Sequence, residues 1–196
     1  QPQGAAQVMR IIGGARRGLH LAEVGEGDLR AHLRPTSDRV REAIFNIIGQ
    51  AVVGARVLDL FAGTGALGLE ALSRGALRAV FIDKSPDAVR LIQSNIKRCG
   101  VQDRVTVIPT SAAHAIRRLR LQGEDFDLVF LDPPYDQGLV QENLLSLADL
   151  AHSGTLVVAE HHHKELLPSG LQEWVKTQAR KYGDTAVSFY ARELAS

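Results

Sequence analysis

From residue 55 to residue 159 short apolar runs alternate with longer amphipathic stretches. Five runs carry almost no polar residue: 56–60, 79–82, 105–108, 126–131 and 155–159. Runs of four to six apolar residues suit strands buried on both faces, as in a parallel sheet. The stretches between them, 66–73, 87–98, 112–121 and 139–150, place apolar residues at helical spacing and are predicted as helices. The alternation predicts an α/β domain whose parallel sheet is covered on both sides. After Pro168 the pattern changes. Trp174-Val175 and Ala186–Tyr190 flank Gly183-Asp184, which predicts a terminal antiparallel hairpin.

Upstream of the α/β body, Arg10-Ile11-Ile12 and Leu19-His20-Leu21 flank Gly13-Gly14, the pattern of a β-hairpin. A loop with Gly25 and Gly27 follows, and Pro35-Thr36-Ser37-Asp38 opens a helix. Val40, Ile44, Ile47 and Ile48 give that helix one apolar face. Met9 is the single methionine and is read as the natural start, with a leader before it. The expected division is a leader over 1–9, a hairpin extension over 10–35 and the main domain over 36–196.

Composition adds bounds. The chain has 196 residues, 45% hydrophobic and 23% charged, which excludes disorder and leaves enough apolar surface for an unaided core. One cysteine, Cys99, excludes a disulfide framework and fits a reducing compartment. With no base partner indicated, its thiol is read as inert. No apolar run reaches the ~18–20 residues of a membrane span, and no secretory signal is visible, so a cytoplasmic protein is expected. Net charge is +1, but residues 10–41 carry seven arginines against four acids. Arg10, Arg16, Arg17, Arg34, Arg39 and Arg41 are candidate contacts to a nucleic-acid backbone, because the planar guanidinium matches phosphate. A merely solvated basic surface is the plainer alternative.

Two strand ends carry the candidate chemistry. The first is Asp59-Leu60-Phe61-Ala62-Gly63-Thr64-Gly65-Ala66-Leu67-Gly68, which leaves one strand and enters a helix. Glycines here allow a tight turn and close approach of a ligand. Asp83, twenty residues after Gly63, ends the next strand and can accept both hydroxyls of a ribose. The spacing alone also suits a dinucleotide. Asp59, however, brings negative charge toward the ligand, which opposes a pyrophosphate and favours a cationic donor.

The second is Asp132-Pro133-Pro134-Tyr135, at the end of the fourth strand. Consecutive prolines hold the chain extended and fix the direction of their carbonyls. Asp132 and the Pro133 carbonyl can together receive both hydrogens of an exocyclic amine, and Tyr135 offers a face on which a base can stack. His161-His162-His163 invites a metal assignment, but no metal is expected. Neighbouring residues on a strand face opposite ways, and no further ligands complete a set in the sequence.

These motifs resemble those of the class I S-adenosylmethionine-dependent methyltransferases that act on amino nitrogens. The block from Arg34 to Asn46, preceded by Arg10-Ile11-Ile12-Gly13-Gly14, is similar to the bacterial small-subunit (16S) ribosomal RNA guanine-N2 methyltransferases. The resemblance runs from about Arg10 to Glu160. It implies a Rossmann-like fold with a mostly parallel seven-stranded sheet and S-adenosyl-L-methionine as cofactor. Asp59, Phe61, Ala62, Gly63, Thr64, Gly65, Asp83, Lys84, Ser111 and Ala112 would then bind the cofactor. Asp132, Pro133, Pro134 and Tyr135 would be the catalytic loop. Ser111 stands where many relatives place an acidic or amide side chain to read adenine. The resemblance further implies a monomer acting on 16S ribosomal RNA within the small subunit or its assembly intermediate. Methylation of DNA adenine or protein glutamine, and a non-catalytic RNA-binding assembly module, are the alternatives.

Overall fold

The computed structural model describes residues 9–22, 36–135 and 137–193. The expected leader, the glycine loop around Gly25 and Gly27, and Arg34 lie outside them. The helices and strands are α1 (Asp38–Ile48), β1 (Arg56–Leu60), α2 (Ala66–Ser73), β2 (Arg78–Ile82), α3 (Pro86–Cys99), β3 (Val105–Ile108) and α4 (Ala112–Leu121). They continue with β4 (Phe126–Leu131), α5 (Leu139–Leu147), β5 (Ala151–His162), β6 (Gly170–Leu171), β7 (Trp174–Tyr182) and β8 (Thr185–Arg192). All the strands form one sheet in the order β3-β2-β1-β4-β5-β8-β7-β6. β1 to β5 run parallel, and β8, β7 and β6 add antiparallel. This is the class I methyltransferase arrangement that the sequence predicts, with the two-residue β6 added at one edge.

Sequence sets the element ends. Ser37, Ser85 and Ser111 each cap a helix by accepting a backbone N–H three residues on. Pro86 starts α3, and Gly100 ends it in the left-handed conformation. One core layer joins α1, α2 and α3 to the sheet through Phe45, Leu69, Ile92 and Phe130. The opposite layer joins α4 and α5 through Ile116, Leu144, Phe126 and Tyr190. Both faces are therefore covered, and ligands can reach the sheet at the carboxyl ends of its strands.

The N-terminal segment departs from the hairpin expectation. Residues 9–22 fold back on themselves with hydrogen bonds from Ile11 N to the Leu19 carbonyl and from Leu21 N to the Met9 carbonyl. Only one bridge, Arg10 to His20, has sheet geometry, and the tip is a short 3₁₀ turn at Gly14–Arg16. The amides that would extend a ladder go elsewhere: Ile12 and Gly13 donate to the two carboxylate oxygens of Glu70, at 2.8 and 3.0 Å. Ser73 Oγ accepts from Arg16 N and donates to the Gly13 carbonyl. Gly14 has φ +77°, and a Cβ there would lie 1.9 Å from the Ser73 carbonyl oxygen, so only glycine fits. Met9, Ile11 and Leu21 are buried in the same core layer as α1 to α3. Every residue of α2 is consequently buried.

β5 is longer than predicted, because β8 pairs with it as far as His162 opposite Thr185.

Candidate active site

β1, β2 and β4 are adjacent and parallel, with Leu60 in register with both Ile82 and Leu131. The two sequence motifs therefore leave the middle of the sheet side by side, at the carboxyl ends of its strands. The glycine turn begins with Phe61, whose φ of +57° is unusual for a residue with a side chain. Such a backbone costs about 1–3 kcal/mol and persists only when its surroundings impose it. Here Ala62 N bonds to the Ile82 carbonyl and Gly65 N to the Ala62 carbonyl. Gly63 N donates to Asp83 Oδ2 at 2.9 Å. The other Asp83 oxygen accepts from Ser85 N. Asp83 thus ties the turn to the end of β2, and its oxygens retain lone pairs for two hydroxyls.

Asp59 is 1% exposed, and its Oδ2 accepts the Gly68 N–H at 3.0 Å. Burial pushes its carboxyl well above the usual carboxylate range, with Asp83 adding repulsion. No cation pairs with it among the described residues. A buried acid in that condition suits a positively charged ligand.

Other positions named from the sequence behave less uniformly. Thr64 points its hydroxyl toward Met9 Sδ at 3.5 Å and accepts from Ala66 N. Its side chain is a brace for the turn, leaving only its backbone for a ligand. Ser111 Oγ is engaged as the cap of α4, accepting from His114 N. Phe61 and Ala112 are half-buried, each packed against the α4–α5 core. Lys84 is exposed beside Asp83.

In the second motif Asp132 is half-buried, Pro133 buried and Pro134 exposed. Tyr135 has its hydroxyl 3.1 Å from Thr185 Oγ1 and its ring edge-on to His162, 5.9 Å between centroids. Asp132 lies beside Glu160 of β5, and the two carboxyls act on each other. The order of the sheet explains the meeting: Leu131 and Ala159 are in register, so the next residues of β4 and β5 converge. Glu160 Oε2 also accepts the Thr36 hydroxyl at 2.6 Å. Burial and the Glu160 charge push the Asp132 carboxyl well up, and burial pushes Glu160 up as well.

Glu160 and Thr36 are absent from the sequence-derived site. An acid closing the apolar run 155–159, one strand away from Asp132, is the signal that could have found Glu160. Asn95 is a second such residue. It is fully buried, and its amide donates to the Thr64 and Ala22 carbonyls while accepting from Ala22 N. It holds the glycine turn from behind.

The arginine set needs correction. Arg41 has no exposed surface. It lies on the apolar face of α1, where its Nη2 donates to the Arg10 carbonyl and pairs with Asp38. It cannot face a nucleic acid. Arg10 pairs with Asp38 at 3.4 Å, and Arg16 donates to the Cys99 carbonyl at 2.7 Å, so both are partly committed to the fold. Arg17 and Arg39 are exposed.

The histidines also differ from expectation. His161 is buried with Nε2 at 2.8 Å from Ser188 Oγ, and burial pulls its pKa down. His162 and His163 lie on the other side with Asp184, their ligand atoms all within 4.8 Å of one another. The carboxylate missing from the local sequence is thus supplied by the β7–β8 turn. His163 Nδ1 already faces the Asp184 carbonyl, and His162 Nδ1 accepts from Lys164 N.

Comparison with known proteins adds the family. The family described as conserved hypothetical protein 95 matches residues 9–191. The chain belongs to this family. Among similar proteins, ribosomal RNA small subunit methyltransferase D of Escherichia coli K12 is 35% identical over 193 residues, covering 97% of this chain and 92% of that one. Two solved structures are similar to this chain in fold. A hypothetical protein of Thermus thermophilus, TTHA0928, is 34% identical with a TM-score of 0.78, covering 95% and 100% of the two chains. A conserved hypothetical protein of Streptococcus pyogenes is 40% identical with a TM-score of 0.74, covering 79% and 96%. Both family-level blocks of the sequence, around Arg10 and Arg34, fall within the matched span.

Proposed function

We propose that this protein methylates the exocyclic N2 amine of a guanine in small-subunit ribosomal RNA, with S-adenosylmethionine as donor. The observation that carries the reading is the convergence of Asp59, the glycine turn and the Asp132–Tyr135 loop at the carboxyl ends of adjacent strands. The name of the Escherichia coli relative supports the RNA class. The donor, when bound, supplies an already activated methyl group, so no metal or covalent nucleophile is required.

The chain's own residues then have defined tasks. The turn from Phe61 to Gly65 receives the donor, and Asp83 accepts its ribose hydroxyls. Asp132 and the Pro133 carbonyl accept the two hydrogens of the amine. Drawing them out of the base plane localises the nitrogen lone pair and stabilises the positive charge that develops during transfer. Tyr135 supplies a stacking face. The base must be unpaired or turned out of a helix to reach them. Mapping the modified nucleotide in ribosomes from a deletion strain and its complement tests the reading; an N2-methylguanine present in both strains would refute it.

Asp59 predicts a pH dependence. Burial pushes its carboxyl well up, so wherever the free protein holds a proton there, a cationic donor displaces it. Affinity for S-adenosylmethionine should therefore rise with pH until Asp59 is ionised without the ligand. Calorimetry in buffers of different ionisation enthalpy should register proton release. A pH-independent affinity with no released proton would contradict the placement of the donor's charge.

The arginines predict a contrast. Arg39→Ala should weaken RNA binding and reduce the slope of log affinity against log salt by about 0.7–0.9, the contribution of one phosphate contact. Arg41→Ala should leave that slope intact and lower the melting temperature instead, because it removes the buried contacts to Asp38 and Arg10. Filter binding across a salt series, with thermal melts, separates the two.

A further inference from the structure

Thr36 and Glu160 are buried and hydrogen-bonded to each other beside Asp132, and the mechanism above uses neither. Thr36 belongs to the segment entering α1, Glu160 to β5 and Asp132 to the end of β4. Glu160 is 6% exposed and Thr36 8%. The Thr36 hydroxyl donates to Glu160 at 2.6 Å, so it cannot also accept from that residue. The charge acting on Asp132 from the strand on its other side is Asp59. Beside Glu160 on β8 stands the apolar Val187. α1 turns Val40, Ile44, Phe45 and Ile48 into the core. Arg41 on that face is engaged by Asp38 and Arg10. Among the described residues, then, only carboxylates and the Thr36 hydroxyl act on the pair.

Two carboxyl groups side by side with little water repel when both are ionised, which favours a proton shared by the pair. Thr36 donates to Glu160 and favours its anion. A proton shared by the pair is thereby favoured on Asp132, which leaves one Asp132 oxygen, with its lone pairs, to face the amine.

Resting on the methyl-transfer reading above, we propose that Glu160 is a positioning residue that acts on the amine through Asp132: it fixes which Asp132 oxygen faces the substrate and takes up, by relay, the proton the amine sheds. The step balances. The nitrogen–carbon bond forms as the carbon–sulfur bond breaks, and the nitrogen becomes positive. Its proton passes to the free Asp132 oxygen while the proton already on Asp132 passes to Glu160. The pair goes from one negative charge to none, and the nitrogen from positive to neutral. The protons later return to solvent. Thr36 poises the relay by holding Glu160 as the acceptor, and so links proton uptake to the segment leading into α1.

The test uses the purified full chain, S-adenosylmethionine with a labelled methyl group, small subunits from the deletion strain, and kcat and KM measured across pH. Glu160→Gln preserves shape but cannot take a proton from Asp132. It should lower kcat on the order of 10²-fold, the lower range for proton transfer by a positioned side chain, with KM for the donor unchanged. Thr36→Val removes the donor to Glu160 and makes its anion less favourable. The acid limb of the kcat profile should move to higher pH, and Thr36→Ser should restore it. A purely structural role would not move that limb, and Thr36→Val also decides the matter if Glu160→Gln fails to fold. An unmoved acid limb in folded Thr36→Val, or wild-type kcat in Glu160→Gln, would overturn the relay. The product separates the two readings. Label on another amine with the limb shifted refutes the guanine assignment and keeps the relay. Label on no amine removes both.

Discussion

Asp132→Ala should reduce kcat for methyl transfer by roughly 10²–10³-fold, the range seen when one charge-stabilising hydrogen-bond partner is removed from an active site. The loss should fall on kcat. In the proposed reading the donor's ribose falls to Asp83 and its turn to residues 61–65, whose own hydrogen bonds the substitution does not touch. Affinity for S-adenosylhomocysteine should therefore persist. Pro133 still offers its carbonyl, so some activity should remain. The substitution also leaves Glu160 with Thr36 as its partner, a smaller disturbance than exposing an unpaired buried charge. Single-turnover transfer to the RNA, alongside calorimetry with S-adenosylhomocysteine, checks both halves. Turnover equal to the parent protein would show that the acceptor lies elsewhere.

Glu70→Ala should be the most destabilising of the substitutions considered. The carboxylate is fully buried and receives Ile12 N, Gly13 N and Arg74 Nε. Truncation leaves two backbone amides and a guanidinium without their acceptor. Breaking a buried, hydrogen-bonded charge pair from one side costs about 3–5 kcal/mol. For a chain of this length that corresponds to a fall in melting temperature of roughly 10 °C. Thermal unfolding followed by circular dichroism measures it. Protease cleavage within residues 9–22 should accelerate in parallel, because those amides anchor the segment to α2. A melting temperature within a degree or two of the parent would mean that the anchor lies elsewhere.

The α/β body was legible because its strands are unmixed apolar runs and its helices end on serine caps and glycines, signals that depend only on neighbours in sequence. The common placement of Asp59, Asp83 and Asp132 was legible for a related reason: each lies near or just past the end of a strand, and the carboxyl ends of parallel strands face the same way. What stayed hidden depends on contacts between distant parts. The hairpin of residues 10–22 keeps its antiparallel pairing but has only one sheet bridge, because Glu70, 58 positions from Ile12, takes the amides that would extend it. Arg41 was read by its charge, yet its place beside Val40 and Ile44 on the apolar stripe of α1 decides its burial. Glu160 looked like an ordinary acid before three histidines, and only the register of β4 against β5 brings it to Asp132. Asp184 joins His162 and His163 for the same reason, through the pairing of β5 with β8.

The tether on Tyr135 bears on how tightly a base can be gripped. Its hydroxyl is fastened to Thr185 and its ring is braced by His162, so the aromatic plane is set while the chain folds. A side chain frozen by its neighbours surrenders no rotational freedom when a ligand arrives, a saving of about 0.5–1.5 kcal/mol over a mobile ring. In the proposed reading Thr185 thereby becomes a determinant of affinity through Tyr135.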